Sequence, residues 1–564
     1  MRILETANLK PKDGLSRKVL YFILMNTPYR IFLLVTLIAG IGVTGFPQQK
    51  TRIRFEGAQS MKNLNLNGQK IIRYIGNVRF QHENTRIVCD SAYHNPEDNW
   101  FNAFGKVRIN QGKTTITGET LYFDGKTSSG KITGREVTLV DEDATLVTQT
   151  LFFNSKTNRA YYTSPGVITT SDSKLTSQRG YYNRNSNQFS FAGSVVMTNP
   201  DVTIYTDSLT YNTQNELSSF FGPTHIFNKD NFAYCEKGWY NKKIDQTNLQ
   251  QNAYILNKNN KIFGDNIFYD RAKKYARIIG NAVMIDTVNR AYIYGQKANF
   301  WQDTEQAEVT DNPYLMQINN NDSLFLKANR FTLVTNKNPD NKKNATDSTY
   351  RILRALGNVM FYRSDVQGTC DSLIYNTRDS VIDMYVNPIL WNESNQITAD
   401  KISILTSENK LKRMNFDGNA FITSFEENSY YNQIKGKNII AHFIDGKVNK
   451  IDINGNGQAI YFIRDGNLLT MANRSESAKI SILVKGNKVS RITFREKPIS
   501  NLYPIEKAEQ EDITLKGFKW LGDKRPMDKY AIVPMNFRAQ PEEKGEALRK
   551  REMQNILKSY EKER

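Results

Sequence analysis

The sequence predicts an all-β chain built from repeats of about 29 residues, and three observations carry this. One phrase, an acidic or amide residue followed by apolar and aromatic positions, returns every 29 to 31 residues from Asp90 to Gln296. A second phrase, Gly, a spacer, then apolar-x-apolar, returns in antiphase with it. The joints between them, such as NPEDN and NRNSN, are rich in the Asn, Asp and Gly of hairpins and corners. Composition agrees, with 11% aromatic residues and 39% apolar, and 564 residues exceed what one core needs.

Taken in order, residues 31–46, IFLLVTLIAGIGVTGF, form an apolar, uncharged run behind Lys10, Lys12, Arg17, Lys18 and Arg30. This is the pattern of a signal peptide, or of an N-terminal anchor in the inner membrane. Val43-Thr44-Gly45 offers a cleavage site before Phe46, and Met25 offers a second start. Either way, the rest of the chain is expected outside the cytoplasm. A first array of repeats is expected over 47–335, a polar loop or array boundary over 336–349, and a second array over 350–500. Residues 501–564 read as a charged C-terminal tail.

The acidic phrase includes VCDSAYHN at Asp90, TGETLYFD at Glu119, YTDSLTYN at Asp207 and FGDNIFYD at Asp265. It returns at Asp371 and Asp400. Gly phrases start at Gly76, Gly105, Gly193, Gly222, Gly280, Gly357, Gly418 and Gly457. In these, period-2 alternation puts Val78 and Phe80 on one face and Arg79 on the other. The same slots hold Val107 and Ile109, Val195 and Met197, and Val359 and Phe361. Three later copies break the pattern, because Val283, Met360 and Phe421 put apolar groups on the nominally outer face. The acidic phrase alternates irregularly, which predicts a bulge or corner within it.

Cys89, Cys235 and Cys370 all precede the acidic slot, so a shared buried position explains them better than a disulfide. The net charge of +19 is scattered along the strands. No zinc spacing, helix-turn-helix pattern or long basic stripe is present, so no nucleic-acid partner is expected. The four His residues, 82, 94, 225 and 442, have no metal spacing, and the acidic slot becomes Gln149, Gln178 and Gln296. A position that repeats and tolerates amides does not behave like a catalytic carboxylate. No catalytic, cofactor or metal residue is therefore expected, and a polysaccharide-degrading β-solenoid enzyme is the weaker alternative.

The alternation GNVRF, VCDSAYHN, GKVRI, ITGETLYFD over 76–124, with its echo GNVMFY and GTCDSLIYN over 357–376, resembles the organic solvent tolerance (OstA-like) family. This is the family of LptA-type periplasmic lipopolysaccharide-transport proteins. The resemblance covers about residues 50–490. It implies an elongated, V-shaped two-sheet β-jellyroll whose apolar groove shields the acyl chains of lipopolysaccharide, or a related glycolipid, between inner and outer membranes. Val78, Phe80, Val107, Ile109, Val195, Met197, Val359 and Phe361 are the candidate groove lining; a closed β core is the other reading of the same residues. Open strand edges imply other β-jellyroll transport proteins of both membranes as partners, or end-to-end self-association. A scaffold or adhesin without lipid is the remaining alternative.

Overall fold

The computed structural model describes residues 52–534, apart from 338–348, 319–322 and scattered shorter stretches; the apolar run 31–46 and the charged segment 535–564 lie outside the described residues. Among the described residues there are 36 strands and no α-helix, and every strand pairing is antiparallel. The chain is a β-jellyroll of bent strands.

What bends them is a corner in the middle of each long strand. Two consecutive residues take left-handed backbone conformations, for example Gly76 (φ 79°) with Asn77 (φ 49°), and Gly105 (φ 74°) with Lys106 (φ 42°). Glycine adopts this conformation at no steric cost, which is why the Gly phrase marks the corner. One residue of the neighbouring strand faces each pair, and it is the acidic slot. A Cβ on Gly105 would stand 2.5 Å from Oδ2 of Asp90, and one on Gly280 would stand 2.3 Å from Oδ2 of Asp265. In some copies the slot's backbone N–H also donates to the corner carbonyl, as Gln178 does to Gly193 at 3.0 Å and Asp400 to Gly418 at 2.8 Å. Asn281 and Asn419, each the second residue of a corner, donate side-chain bonds to Asp265 and Asp400 at 3.0 Å. The repeated acid is thus a corner cap.

This geometry accounts for the irregular alternation. Across the two-residue bulge the Gly-phrase strand keeps its parity, with Phe101 and Ala103 buried before it and Val107 and Ile109 after it. On the acidic-phrase strand one residue is skipped and parity flips, with Ile87 and Cys89 buried before Asp90, and Ala92 and His94 after it. Inward positions near Cys370 are therefore Leu373 and Tyr375, not Ile374. The corner in the last Gly phrase is Gly455 with Asn456, two residues before Gly457, which occupies the slot of Val78. The copy missing from the series between Gln296 and Asp371 is Asn329, whose amide N–H donates to Gly357 at 2.9 Å.

The Asn or Asp that ends the acidic phrase closes the hairpin. Asn95 Oδ1 accepts from the N–H groups of Glu97 and Asp98 at 3.0 and 2.9 Å, and Asn154 Oδ1 accepts from Thr157 at 2.8 Å. Asn154 Nδ2 also donates to the carbonyl of Thr127, which ties one hairpin to the next.

The described chain forms two compact units. One comprises residues up to 258 together with 266–273, and the other 259–265 and residues from 274 onward. The segment 336–349 is not the boundary between them. It joins strands Arg330–Lys337 and Thr349–Tyr362, which pair with Lys337 opposite Thr349.

Residues 501–534 are not part of a free tail. Ile499–Pro504 is a strand, and residues 505–533 form a strap across the outer face of the carboxy-terminal unit. Leu515 is buried against Phe421, Ile460 and Phe462, and Ile532 and Val533 pack on Tyr292 and Met316. The three misplaced apolar residues, Val283, Met360 and Phe421, lie under this strap. Buried glutamines hold its backbone. Gln433 donates to the carbonyl of Ile513 and accepts from the N–H of Leu515, at 3.0 and 2.8 Å. Gln396 does the same with Lys519 and Leu521, both at 2.7 Å. Arg525 donates to Gln367 at 2.8 Å.

Candidate functional site

Each corner folds a strand across two layers whose inner faces meet. Phe80, beyond the corner of its strand, stacks on Phe101 at 4.8 Å and meets the rings of Tyr74 and His94 at 5.7 and 5.5 Å. Phe101, Tyr74 and His94 all precede the corner or flip with it, so these contacts join the layers.

In the amino-terminal unit, residues directly opposite one another make an unbroken apolar row. It runs Phe80, Ile87, Ile109, Ile116, Leu139, Leu146 and continues to Ile255 without a polar side chain. Beside it, nearest the corner, runs a row of smaller side chains. Val78 faces Cys89 there, Val195 faces Thr206, and Thr224 faces Cys235. Thr206 and Thr224 satisfy each other at 2.8 Å. The cysteines occupy this narrow row because it takes only small side chains. All three are free and buried, and burial pushes each thiol up to about 12.

All eight candidate lining residues point inward. Val78, Phe80 and Val195 are 0% exposed, and Met197 and Phe361, the most exposed of the eight, reach 8%. Six of them belong to the amino-terminal unit, where the row is closed almost throughout. The carboxy-terminal unit differs. Its corresponding row passes through Met284, Ile293, Leu315 and Leu326 to Phe361, then through Ile397, Ile422 and Ile434 to Ala459. Most of these residues are only half-buried. Gly368 interrupts the row, and the ring of Phe361 lies over it, so a Cβ there would stand 2.5 Å from the ring. The half-buried row escaped the sequence reading, although Ile422 occupies the slot of Phe80 in its own Gly phrase. The apolar neighbour Phe421, covered by the strap, hid the alternation that would have marked it.

Both ring nitrogens of His94 are buried without a hydrogen-bond partner. Burial among rings lowers it to about 4, so it is neutral at pH 7. Among the described residues, no three His, Cys, Asp or Glu side chains are grouped so as to hold a metal ion, and no helix is long and apolar enough to cross a membrane.

Comparison with known families matches residues 50–207 and 192–265 to the model of the OstA-like protein. Residues 292–410 match that of the LptA/(LptD N-terminal domain) LPS transport protein. A solved structure is similar to part of the chain: LptH, the LptA homologous periplasmic component of the lipopolysaccharide transport device from Pseudomonas aeruginosa. Identity is 16%, covering 19% of this chain and 82% of that one, with a TM-score of 0.18. No curated protein matches. The two family matches together span more than half of the sequence, and they fall on the corner-bearing repeats described above. The chain belongs to the OstA-like, LptA-type family of lipopolysaccharide-transport proteins.

Proposed function

We propose that this chain is a non-enzymatic periplasmic bridge component that carries lipopolysaccharide between the two membranes, with the acyl chains lying along the inner face of the carboxy-terminal unit. The observation that carries this reading is the half-buried inner row through Leu326, Ile397, Ile422 and Ile434. A filled core seals such a row, as the amino-terminal unit does. An open row leaves apolar surface in water, and an acyl chain laid on it removes that surface at about 0.8 kcal/mol per CH₂. The eight residues expected from sequence then split into roles. Val359 and Phe361 border the open row, whereas Val78, Phe80, Val107, Ile109, Val195 and Met197 admit lipid only if the two layers part. The repeated acids support the non-enzymatic reading, because Asp90, Asp265 and Asp400 are occupied in capping corners.

Site-specific photocrosslinking in cells tests this. A photoreactive residue at Ile422, Ile434 or Leu326 is expected to give lipopolysaccharide adducts, and one at the outward Arg413 none. Adducts at Phe80 and Met197 are expected to be weaker. Absence of lipid adducts at all inward positions would leave a closed β scaffold.

A further inference from the structure

The outer face of the amino-terminal unit carries a second, unlike row. Arg73, Tyr93, Asn102, Tyr122, Lys131 and Phe152 stand directly opposite one another on six consecutive strands. The row runs on through Tyr161 and Tyr181. These side chains point away from the interior, and Tyr122, Tyr161 and Tyr181 are 45, 41 and 38% exposed. Phe152 and Tyr161 stack at 4.7 Å.

Aromatic side chains on a wet sheet face usually stabilise it by pairing directly across strands. Phe152 pairs in this way with Tyr161, but Tyr93 and Tyr122 do not, since Arg73, Asn102 and Lys131 stand opposite them. Alternate strands put the three rings roughly 10 Å apart, which is the length of a disaccharide. The two charges in this stretch of the row, Arg73 at its end and Lys131 between two rings, are both positive. Arg73 lies 5.7 Å over Tyr93 and Lys131 lies 5.4 Å over Phe152, and among the described residues neither has a carboxylate partner. Lys131 also borders a shallow depression of about 260 Å³, with Asn102, Phe104, Thr120, Tyr122 and Thr133 around it.

We propose that this row is a binding platform for a linear acidic glycan. The apolar C–H faces of successive sugars lie on Tyr93, Tyr122 and Phe152. Asn102, Thr120 and Thr133 bond hydroxyls, and Arg73 and Lys131 pair with carboxylate or phosphate groups on the sugars. The inference does not rest on acyl chains entering the interior, because none of these side chains faces it.

Calorimetric titration of the full chain with a galacturonic-acid hexamer, and with neutral cellohexaose, tests the platform. The acidic hexamer is expected to bind, and the neutral one to bind at least tenfold more weakly. Tyr122→Ala with Phe152→Ala is expected to lose the acidic hexamer by at least tenfold, while Tyr122→Phe, which keeps the ring, retains it. Lys131→Ala is expected to narrow the preference for the acidic ligand. Circular dichroism and Tm of each variant separate lost binding from lost fold, with a small drop in Tm expected where Phe152→Ala removes the stack on Tyr161. Displacement by a phosphorylated core oligosaccharide freed of its acyl chains would assign the ligand to the glycolipid. Displacement by a soluble cell-wall glycan fragment would assign it to the wall. No binding of the acidic hexamer, equal binding of both hexamers, binding indifferent to the double alanine variant, or displacement by neither competitor would overturn the proposal.

Discussion

At the scale of single residues, His94 is the clearest case of a polar group held inside by its neighbours. Its ring sits 6.2 Å from Tyr74 and 5.5 Å from Phe80, and neither nitrogen has a partner. Burial lowers its pKa from 6.5 to about 4. Protonation therefore favours the unfolded chain. The stability that neutral His94 preserves at pH 7 is lost as pH falls from 6.5 toward 4, and below 4 the loss stops growing. The full effect is on the order of 3 kcal/mol. Urea unfolding at pH 7 and pH 4.5 is expected to show a smaller difference in His94→Leu than in the parent chain. His225, also lowered to about 4 by burial, retains part of the slope in that variant. An unchanged pH dependence would mean that His94 reaches water in the native state. The sequence showed His94 as a polar letter in an aromatic phrase. Its inward direction was hidden, because the parity flip at Asp90 lies between it and the regular alternation of Ile87 and Cys89.

At the scale of elements, the corner and the strap show what periodicity can and cannot reveal. The Gly phrase and the acidic phrase were both legible, since each corner repeats the same two-against-one arrangement. Their meeting across neighbouring strands was not, because register is a property of pairs of strands. Corners without glycine were invisible for a different reason: Val386 and Asn387 take φ values of 61° and 50°, and no turn residue announces the first of them. The strap was hidden because it has no period of its own. Its signal lay elsewhere, in the apolar residues Val283, Met360 and Phe421 that a solvated face would not carry. The strap gives a direct prediction. Gln433 and Gln396 each bond both a carbonyl and an N–H of an otherwise unpaired extended backbone. Replacing either by Ala strands those groups in a buried site, at about 1–3 kcal/mol each. Gln433→Ala with Gln396→Ala is expected to lower the stability of the carboxy-terminal unit and to speed amide exchange over residues 513–521. Exchange there as slow as in the parent chain would show that Leu515 and its apolar neighbours hold the strap unaided.

At the scale of the whole molecule, the ends of the ladders decide how the chain meets others. Among the described residues, strand Ser60–Leu66 is paired on one side only, with Gln69–Ile75. Strand Ile499–Pro504 is likewise paired only with residues 471–476 of the preceding long strand. Both are exposed along most of their length, and they show Met61, Ile499 and Leu502 to solvent. Such edges are templates for another β-sheet unless charge, proline or a bulge blunts them. Pro504 closes the second edge at its last residue only. Association through these edges, with a second copy or with another β-jellyroll, is the expected outcome of the unpaired backbone groups. Light scattering is expected to show a mass that rises with concentration. In an antiparallel strand, consecutive N–H groups point to opposite sides, so one of Asn501 and Leu502 presents its N–H outward. Proline at the outward-facing one removes a donor from the free edge and leaves the existing pairing with residues 473 and 474 intact. Asn501→Pro and Leu502→Pro are therefore expected to differ. One abolishes concentration-dependent association at unchanged Tm, and the other lowers Tm by breaking the internal ladder. If both variants associate like the parent chain, the carboxy-terminal edge is not the joint, and the equivalent pair of substitutions at Asn63 and Leu64 tests the other end.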